Sequence, residues 1–397
     1  MSVIIPYENA RHIPPVEWHH HARTWCREHR MKQPVVYSDE YKRWLIFRYQ
    51  DVLHVYKQPE LYSSSLLPSA NVPVKIPNQM TGIVQLDPPQ HQRWRLLEQK
   101  ALAACSLAQL RPYIIQVTSE RLKKIQKQGQ ADFMTELAIP LPLLVMTKWL
   151  GLPPEQWPLF HAWVDSLILV EKEENREKVQ REVEVCFQII FKQRQQHPRQ
   201  DLISHLLTSS VEGPPLTIQD LLFLATELLV AGTFSSTALL GNMLLCLELF
   251  PQELVRLRRH PDLVQNTCEE VLRYMGAARV VEHHLMHCRI ATEESQLGGQ
   301  RIRKGEILRP IVFSANYDEA IFDHAECFSI QRSPNPHLAF GSGIHSCLGG
   351  QLMRLEARIV LEQMLEHFHE WEIMNPQCLE QLDTEMIFGL KSLPMRF

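Results

Sequence analysis

One cysteine in this sequence stands in a setting that suits metal binding. Cys347 lies near the end of the stretch NPHLAFGSGIHSCLGG, residues 335–350, and a helical pattern follows it. Gly341, Gly343 and Gly349 lack the Cβ atoms that would keep this loop away from a flat ligand, and they leave backbone N–H groups free to point at the sulfur. The N-terminal end of the following helix also favours a thiolate. The spacing F-G-x-G-x-H-x-C-L-G therefore predicts a thiolate that binds a metal.

Two further pairs of titratable residues occur at helical spacing. His91 and Arg95 lie four residues apart in LDPPQHQRWRLL, so one turn of a helix would point both side chains in the same direction. Glu270 and Arg273 lie three residues apart in EEVLRY, a spacing that suits an ion pair. Each pair alone is also typical of a solvated helix face, so neither specifies a site by itself.

An uncharged segment of twenty residues is either a membrane span or a helix in the core. It runs from Leu228 to Leu247 as LLVAGTFSSTALLGNMLLCL and is long enough to cross a membrane. Its hydroxyl and amide side chains and its two glycines favour instead a long helix through the core of a globular protein. Thr217, followed three residues later by Asp220, predicts where that helix begins.

The remaining pattern predicts a mainly α fold with a small β region. Apolar residues recur at helical spacing through the middle of the chain, whereas PVVYSD and RWLIFR form a predicted hairpin. Residues 64–86 carry three prolines and no periodicity, and such a long apolar loop is a candidate substrate lid. Without internal repeats or low-complexity linkers, residues 1–397 are interpreted as a single domain. Helices are expected over residues 50–57, 89–126, 154–170 and 174–196.

Composition narrows the possible partners and the cellular compartment. The formal net charge of −4 provides no broad positive field for a nucleic acid or an anionic membrane. The nine cysteines are scattered and form no CxxC pair, which fits a reducing compartment better than a disulfide framework. The first residues show no basic segment followed by an apolar one, so no signal peptide is predicted. We expect a cytoplasmic protein with no membrane span.

The motifs and their order resemble those of the cytochrome P450 family, and the soluble bacterial type is the most similar. The resemblance runs through nearly the whole chain and implies the single-domain fold of that family with one haem b. By this match Cys347 is the axial ligand of the haem iron, and Phe340 packs on the proximal face of the haem. Glu270 and Arg273 would form a buried pair that braces the cysteine loop.

The same resemblance assigns further residues to the cofactor. His91, Arg95 and His345 are the residues that it places at the haem propionates, and Gly349 belongs to the loop around the haem. One more propionate ligand is expected after Arg273, where this chain is longer than the family pattern. Arg279, His284 and Arg289 all compete for that role, and we favour His284. Arg332 is a candidate third member of the Glu270 and Arg273 network.

The long helix departs from the family at the residues that handle protons. Ala231 and Gly232 match the pair that opens a groove over the iron. The family then has an acid followed by threonine, whereas this chain has Phe234 and Ser235. Phe234 cannot relay a proton, so we expect a chain of hydroxyls and water centred on Ser235, with Thr233 as a second candidate.

The resemblance implies a monooxygenase that hydroxylates or epoxidises a lipophilic small molecule with dioxygen and two electrons. The electrons would come from a separate ferredoxin or flavodoxin-like protein that docks behind the cysteine, where Arg93, Lys100 and Arg354 are candidate contacts. Because the acid is missing, two alternatives stay open: a peroxygenase, isomerase or dehydratase, and a haem-binding sensor without turnover. The expected substrate-pocket residues are Leu228, Ala231, Phe234, Ala277, Val280, Ile387 and Phe388.

Overall fold

The computed structural model describes residues 13–65, 82–168, 173–209, 211–213, 216–278, 287–382, 384 and 387–397, with backbone alone for 167, 168 and 173–176. The fold is mainly α with small sheets, as expected. The helices are α1 Pro15–Lys32, α2 Tyr49–Lys57, α3 Gln90–Ala104, α4 Leu107–Gln128, α5 Pro140–Leu150, α6 Trp157–Ile168, α7 Glu173–Gln196, α8 Leu202–Thr208, α9 Ile218–Leu249, α10 Pro251–Arg259, α11 Val264–Met275, α12 Val312–Ala315 and α13 Gly350–His367.

Short strands form three small sheets. The strands are β1 Val35–Ser38, β2 Arg43–Ile46, β3 Tyr62–Ser63, β4 Gln130–Asp132, β5 Arg289–Ala291, β6 Ser295–Leu297, β7 Gln300–Ile302, β8 Ile307–Pro310, β9 Glu372–Ile373 and β10 Pro394–Arg396. The largest sheet has the order β1-β2-β8-β5-β3, and the predicted hairpin supplies its first two strands in antiparallel register. The second sheet has the order β4-β10-β9, and β6 pairs with β7.

Helix α9 is the central element of the helical core. Its start is fixed by a capping box, in which the Asp220 N–H donates to Thr217 Oγ1 and the Thr217 N–H donates to Asp220 Oδ2. It packs against α5, α11 and α13. By length and composition α9 could cross a membrane, but 72% of its most apolar window is buried inside the protein. Its apolar character is therefore explained by the core that it occupies.

Two expectations about local structure need correction. The helix expected over residues 89–126 is broken into α3 and α4 at Ser106, whose hydroxyl accepts the Ala108 N–H and starts the second helix. Of the expected lid, residues 66–81 lie outside the described part of the chain. The end of that segment, Ile83–Gln85, is a short 3₁₀ turn that leads into α3.

Candidate active site

The loop around Cys347 is shaped by its backbone. The Cys347 N–H donates to the Phe340 carbonyl oxygen at 2.9 Å, which closes the turn. Gly341 and Gly343 have φ angles of +66° and +72°, a region that favours glycine. At Gly343 a Cβ would also overlap the carbonyl oxygen of Tyr56, so the loop sits directly against the end of α2. These glycines let the chain turn sharply just before α13 begins.

Cys347 keeps accessible surface. Burial raises the pKa of the Cys347 thiol, while the backbone N–H groups of Gly349 and Gly350 and the charges of Arg95 and Arg354 act in the opposite direction. The predicted N–H donors are therefore present, but burial outweighs them in the protein alone. A metal cation at the sulfur would favour the thiolate strongly. Cys347 therefore remains accessible to a ligand.

Behind the loop, an ion-pair network holds the ring of Phe340. The Arg354 guanidinium lies 4.4 Å from the centre of that ring and forms two hydrogen bonds with Glu269, at 2.7 and 2.9 Å. His337 approaches the same carboxylate at 3.1 Å. Burial works to raise the pKa of Glu269, but the hydrogen bonds of His337 and Arg354 lower it to about 2. Glu269 and His337 were not predicted, because nothing in the sequence distinguishes them from surface residues.

Glu270 and Arg273 form the fully buried pair that the resemblance implied. Arg273 donates to both carboxylate oxygens of Glu270 at 2.8 and 2.9 Å, and its remaining N–H groups bind carbonyl oxygens, including that of Asn316. The Arg332 guanidinium also donates to Glu270, at 3.0 and 3.2 Å, as does the Asn335 side chain. The network ties α11 to the chain segment that enters the cysteine loop.

A cluster of nitrogen donors lies on the other side of Cys347. His91 is buried, and neither of its ring nitrogens has a hydrogen-bond partner among the described residues. Its ring centre is 4.2 Å from that of His345, whose Nδ1 also has no partner in the described part of the chain. Arg95 donates to the Ser346 carbonyl oxygen. Unpaired buried donors next to arginines suit an anionic ligand such as a pair of carboxylates.

Arg279, His284 and Arg289 were the three candidates for the last propionate, and of these the structure describes Arg289. Arg289 is buried. The pKa values of His91 and His345 are lowered by the burial of these two rings and also by the positive charge of Arg289. It therefore belongs to the same donor cluster. His284, which the sequence favoured, and Arg279 lie outside the described residues.

One side of α9 keeps accessible surface near the middle of the helix, and we call it the open side. Ala231 is exposed and Ser235 is half-buried, and the Ser235 hydroxyl donates to the Ala231 carbonyl oxygen at 3.0 Å. Thr233 lies about 200° round the helix from Ala231. It is buried there, with its hydroxyl donating to the Leu229 carbonyl oxygen at 2.7 Å. Ser235 thus lies on the open side of α9, and Thr233 does not.

Gly232 serves helix packing in this fold. A Cβ at this position would lie 2.5 Å from the Met146 sulfur, so the glycine allows α5 to approach α9 closely. Helix α9 continues without interruption through this point. Phe234 is buried in the hydrophobic core.

A buried acid that the sequence analysis missed lies close to this region. Glu356 on α13 is fully buried, and neither carboxylate oxygen has a hydrogen-bond partner of ordinary geometry among the described residues. Burial raises its pKa to about 8, an effect that the nearby Ser236 hydroxyl partly offsets. The signal in the sequence is an acid at a core position of α13, in phase with Leu352, Ile359 and Val360.

The remaining expected contact residues divide into two groups. Leu228, Ala277 and Ile387 keep accessible surface. Phe388 is a correction, because it is buried in the core and stacks on Trp18 with ring centres 4.8 Å apart. Val280 lies outside the described residues.

The three basic residues expected to meet an electron donor differ in their surroundings. Lys100 is exposed. The Arg93 side chain is half-buried and donates to the Glu212 carbonyl oxygen at 3.2 Å. Arg354 is neutralised by Glu269, so it contributes less positive potential than its sequence position suggests.

Comparison with known proteins agrees with this geometry. A family model described as "Cytochrome P450" matches residues 132–397. The putative cytochrome P450 YjiB of Bacillus subtilis (strain 168) is 33% identical over 387 residues, which cover 95% of this chain and 94% of that protein. The cyclomarin C epoxidase CymV of Salinispora arenicola (strain CNS-205) is 29% identical over 94% of this chain and 95% of its own length. The crystal structure of CYP109E1 from Bacillus megaterium in complex with testosterone matches with a TM-score of 0.85 and 31% identity, over 94% of this chain and 98% of that one.

Proposed function

The chain belongs to the cytochrome P450 family, and from that premise we propose that it oxygenates a lipophilic small molecule with electrons from a separate protein. It is a haem-thiolate monooxygenase, and its cofactor is haem b. The observation that carries the proposal is the setting of Cys347. Cys347 keeps accessible surface, burial raises the pKa of its thiol, and the charge of Arg95 from the donor cluster acts on the same thiol, so we place the haem in the space between Cys347 and that cluster.

The described residues fit a haem in that space. Cys347 would bind the iron, with Phe340 and Gly349 in the loop that holds the sulfur. The unpaired nitrogens of His91 and His345 suit the propionate carboxylates. We assign Arg95 and Arg289 to the same carboxylates, and Arg289 replaces His284 as our choice. When bound, the haem supplies the iron centre at which dioxygen is reduced.

Proton handling falls to hydroxyl and carboxyl groups around α9. Ser235 presents a hydroxyl on the open side of the helix and can pass a proton between water molecules. On the next residue, Ser236 lies beside the buried carboxyl of Glu356. At neutral pH that carboxyl holds its proton, because burial favours the neutral form. We propose Ser235 as the proton-relaying hydroxyl and withdraw Thr233.

The substrate and the partner are proposed at the level of chemical class. Leu228, Ala231, Ala277 and Ile387 offer apolar contacts, which suits a lipophilic molecule, and the related CYP109E1 was crystallised with testosterone. A ferredoxin or flavodoxin-like protein would deliver electrons at the face behind Cys347. We place this chemistry in the cytoplasm.

A comparison of electron sources tests the proposed function. The purified holoenzyme is given an apolar compound that displaces water from the haem, as detected by a spectral shift, together with a surrogate ferredoxin, its reductase and NADPH. A monooxygenase forms product that contains one oxygen atom from labelled dioxygen. Product formed from hydrogen peroxide alone would identify a peroxygenase. Bound compound with no product under either condition would contradict the proposal and favour a sensor.

A further inference from the structure

A second carboxyl group stands on the open side of α9. Glu227, Ala231 and Ser235 follow one another at four-residue spacing, so they lie along one side of the helix. Ala231 is exposed there, and both of its neighbours on this line are half-buried. The open position at Ala231 is therefore flanked by a carboxyl one turn earlier and by a hydroxyl one turn later.

The backbone ahead of α3 holds the Glu227 carboxylate in place. The Ile83 N–H donates to both oxygens, at 3.1 and 3.3 Å. A Cβ at Gly82 would lie 2.6 Å from Glu227 Oε1, so glycine allows this segment to close on the carboxylate. The carboxyl group is thus fixed in a defined position.

A second buried acid and one arginine face Glu227 from α3. Burial raises the pKa of Glu98 to about 8, and the charge of Glu227 adds to this rise, whereas Arg95 opposes it. Burial also raises the pKa of Glu227 to about 7, against the Ile83 N–H and Arg95. Ionisation of Glu227 makes ionisation of Glu98 less favourable, so the two carboxyls do not titrate independently.

We propose that Glu227, paired with Glu98, is the acid that supplies protons to the open position at Ala231. It would replace the acid that the family has at the position of Phe234. The inference rests on the proposed monooxygenase function. Insertion of one oxygen atom of dioxygen into a substrate consumes two electrons and two protons, and the other oxygen atom leaves as water. The electrons come from the redox partner, and a proton passes from the Glu227 carboxyl through water to the oxygen that becomes water.

The pair and Ser235 have different tasks in this scheme. A serine hydroxyl can pass on a proton but does not store one near neutral pH, whereas a carboxyl with a raised pKa can do both. After Glu227 gives up its proton, protons taken from bulk solvent and relayed by water molecules reprotonate the carboxyl, which then supplies the second proton of the cycle. Arg95 limits the build-up of negative charge while this happens.

Three variants test the proposal. In Glu227→Gln the amide oxygen can still accept the Ile83 N–H, so this contact with the segment ahead of α3 is kept while the carboxyl proton is lost. Glu98→Gln removes the other half of the pair. Glu248→Gln is the matched control, because Glu248 is also a glutamate on α9 that accepts a backbone N–H, here from Ile373 at 3.4 Å. It lies about 25 Å along the helix from Ala231.

Two measurements on the holoenzyme separate a proton store from a structural role. Infrared pH titration without substrate should show a carboxyl band that titrates near neutral pH and is missing from the spectrum of Glu227→Gln, whereas the band of Glu356, whose pKa is also raised to about 8, remains in both proteins. With a surrogate redox pair and saturating substrate, Glu227→Gln should lower product per NADPH consumed by about tenfold to a hundredfold and raise peroxide release. The fall in wild-type coupling as pH rises through neutrality should be absent from this variant. Glu248→Gln should behave as wild type in both measurements.

Several outcomes would overturn the proposal. If Glu227→Gln keeps wild-type coupling and its pH profile, Glu227 does not supply protons. If the variant binds substrate more weakly but couples normally at saturation, Glu227 is a substrate-binding group. If Glu227→Gln leaves the carboxyl bands that titrate near neutral pH unchanged, Glu227 holds no proton there. Wild-type enzyme that forms no product would instead contradict the proposed function, and the infrared titration would still test the pair.

Discussion

Ser235 and Glu356 both carry a proton on or beside α9, but their surroundings differ. Ser235 has a hydroxyl that donates to a carbonyl oxygen of its own helix, and its lone pairs remain available to water. Glu356 is a buried carboxyl without a hydrogen-bond partner of ordinary geometry among the described residues. The two groups therefore make separate predictions.

Removal of the Ser235 hydroxyl should uncouple electron use from product formation. In Ser235→Ala, protons reach the reaction more slowly, so a larger share of the electrons should appear as peroxide. The measurement is peroxide and product per NADPH consumed. Thr226→Ala is the matched control, since Thr226 is another α9 hydroxyl bound to a backbone carbonyl, that of Phe223 at 2.8 Å. Uncoupling in Thr233→Ala and not in Ser235→Ala would contradict the orientation of the helix.

Glu356 should make the protein less stable as pH rises. Its pKa is raised from 4.5 to about 8 in the folded protein, mainly by burial. Between these values the folded state keeps a proton that the unfolded chain has released, so the free energy of unfolding falls with rising pH. Glu356→Gln should remove this contribution and should gain stability relative to wild type between pH 5 and pH 8. Denaturant unfolding of both proteins at several pH values checks this prediction. If the difference in unfolding free energy between Glu356→Gln and wild type is the same at every pH, Glu356 does not titrate in this range.

Among the elements, the link between α11 and the cysteine loop depends on one buried carboxylate. Glu270 accepts hydrogen bonds from Arg273 and Arg332, and also from the Ser329 N–H and the Asn335 side chain. Its loss would leave buried guanidinium groups without their partner. The chain segment that precedes the cysteine loop would then lose its anchor on α11.

Glu270→Ala should cost about 3–5 kcal/mol of unfolding free energy, because it strands buried charge. It should also lower haem retention. Glu362→Ala is the control, since Glu362 forms a more exposed pair with Arg358 at 2.7 Å and should contribute less than about 1 kcal/mol. Urea unfolding and the haem-to-protein ratio measure both effects. Equal losses in the two variants would contradict the bracing role of Glu270.

The start of α9 and the cysteine loop could be predicted from local patterns, whereas the protonation of buried acids could not. Thr217 and Asp220 predict the start of α9, because a capping box involves neighbouring residues only. The glycine spacing around Cys347 is local in the same way. Glu98, Glu227 and Glu356 acquire raised pKa values only because distant helices exclude water from them. Phe388 was misassigned for a related reason, since its burial depends on Trp18 from α1.

For the whole molecule, one fold brings these groups together around the proposed haem site. Helix α9 runs through the core with its open side at Ala231, α3 contributes His91, Arg95 and Glu98, and the loop before α13 contributes His345 and Cys347. Arg95 links the three, because its charge interacts with Cys347, Glu98 and Glu227. The net charge of −4 is a sum over the whole chain, so it does not show that positive donors and buried acids lie close together here.

The central claim is that Cys347 supplies a thiolate to a haem at that site. The most direct test is the absorption spectrum of the dithionite-reduced holoenzyme with carbon monoxide, compared with that of Cys347→Ala reconstituted with the same haem. Wild type should show the long-wavelength Soret band that thiolate ligation produces, and the variant should lack it. A wild-type protein with full haem content and without that band would contradict the account.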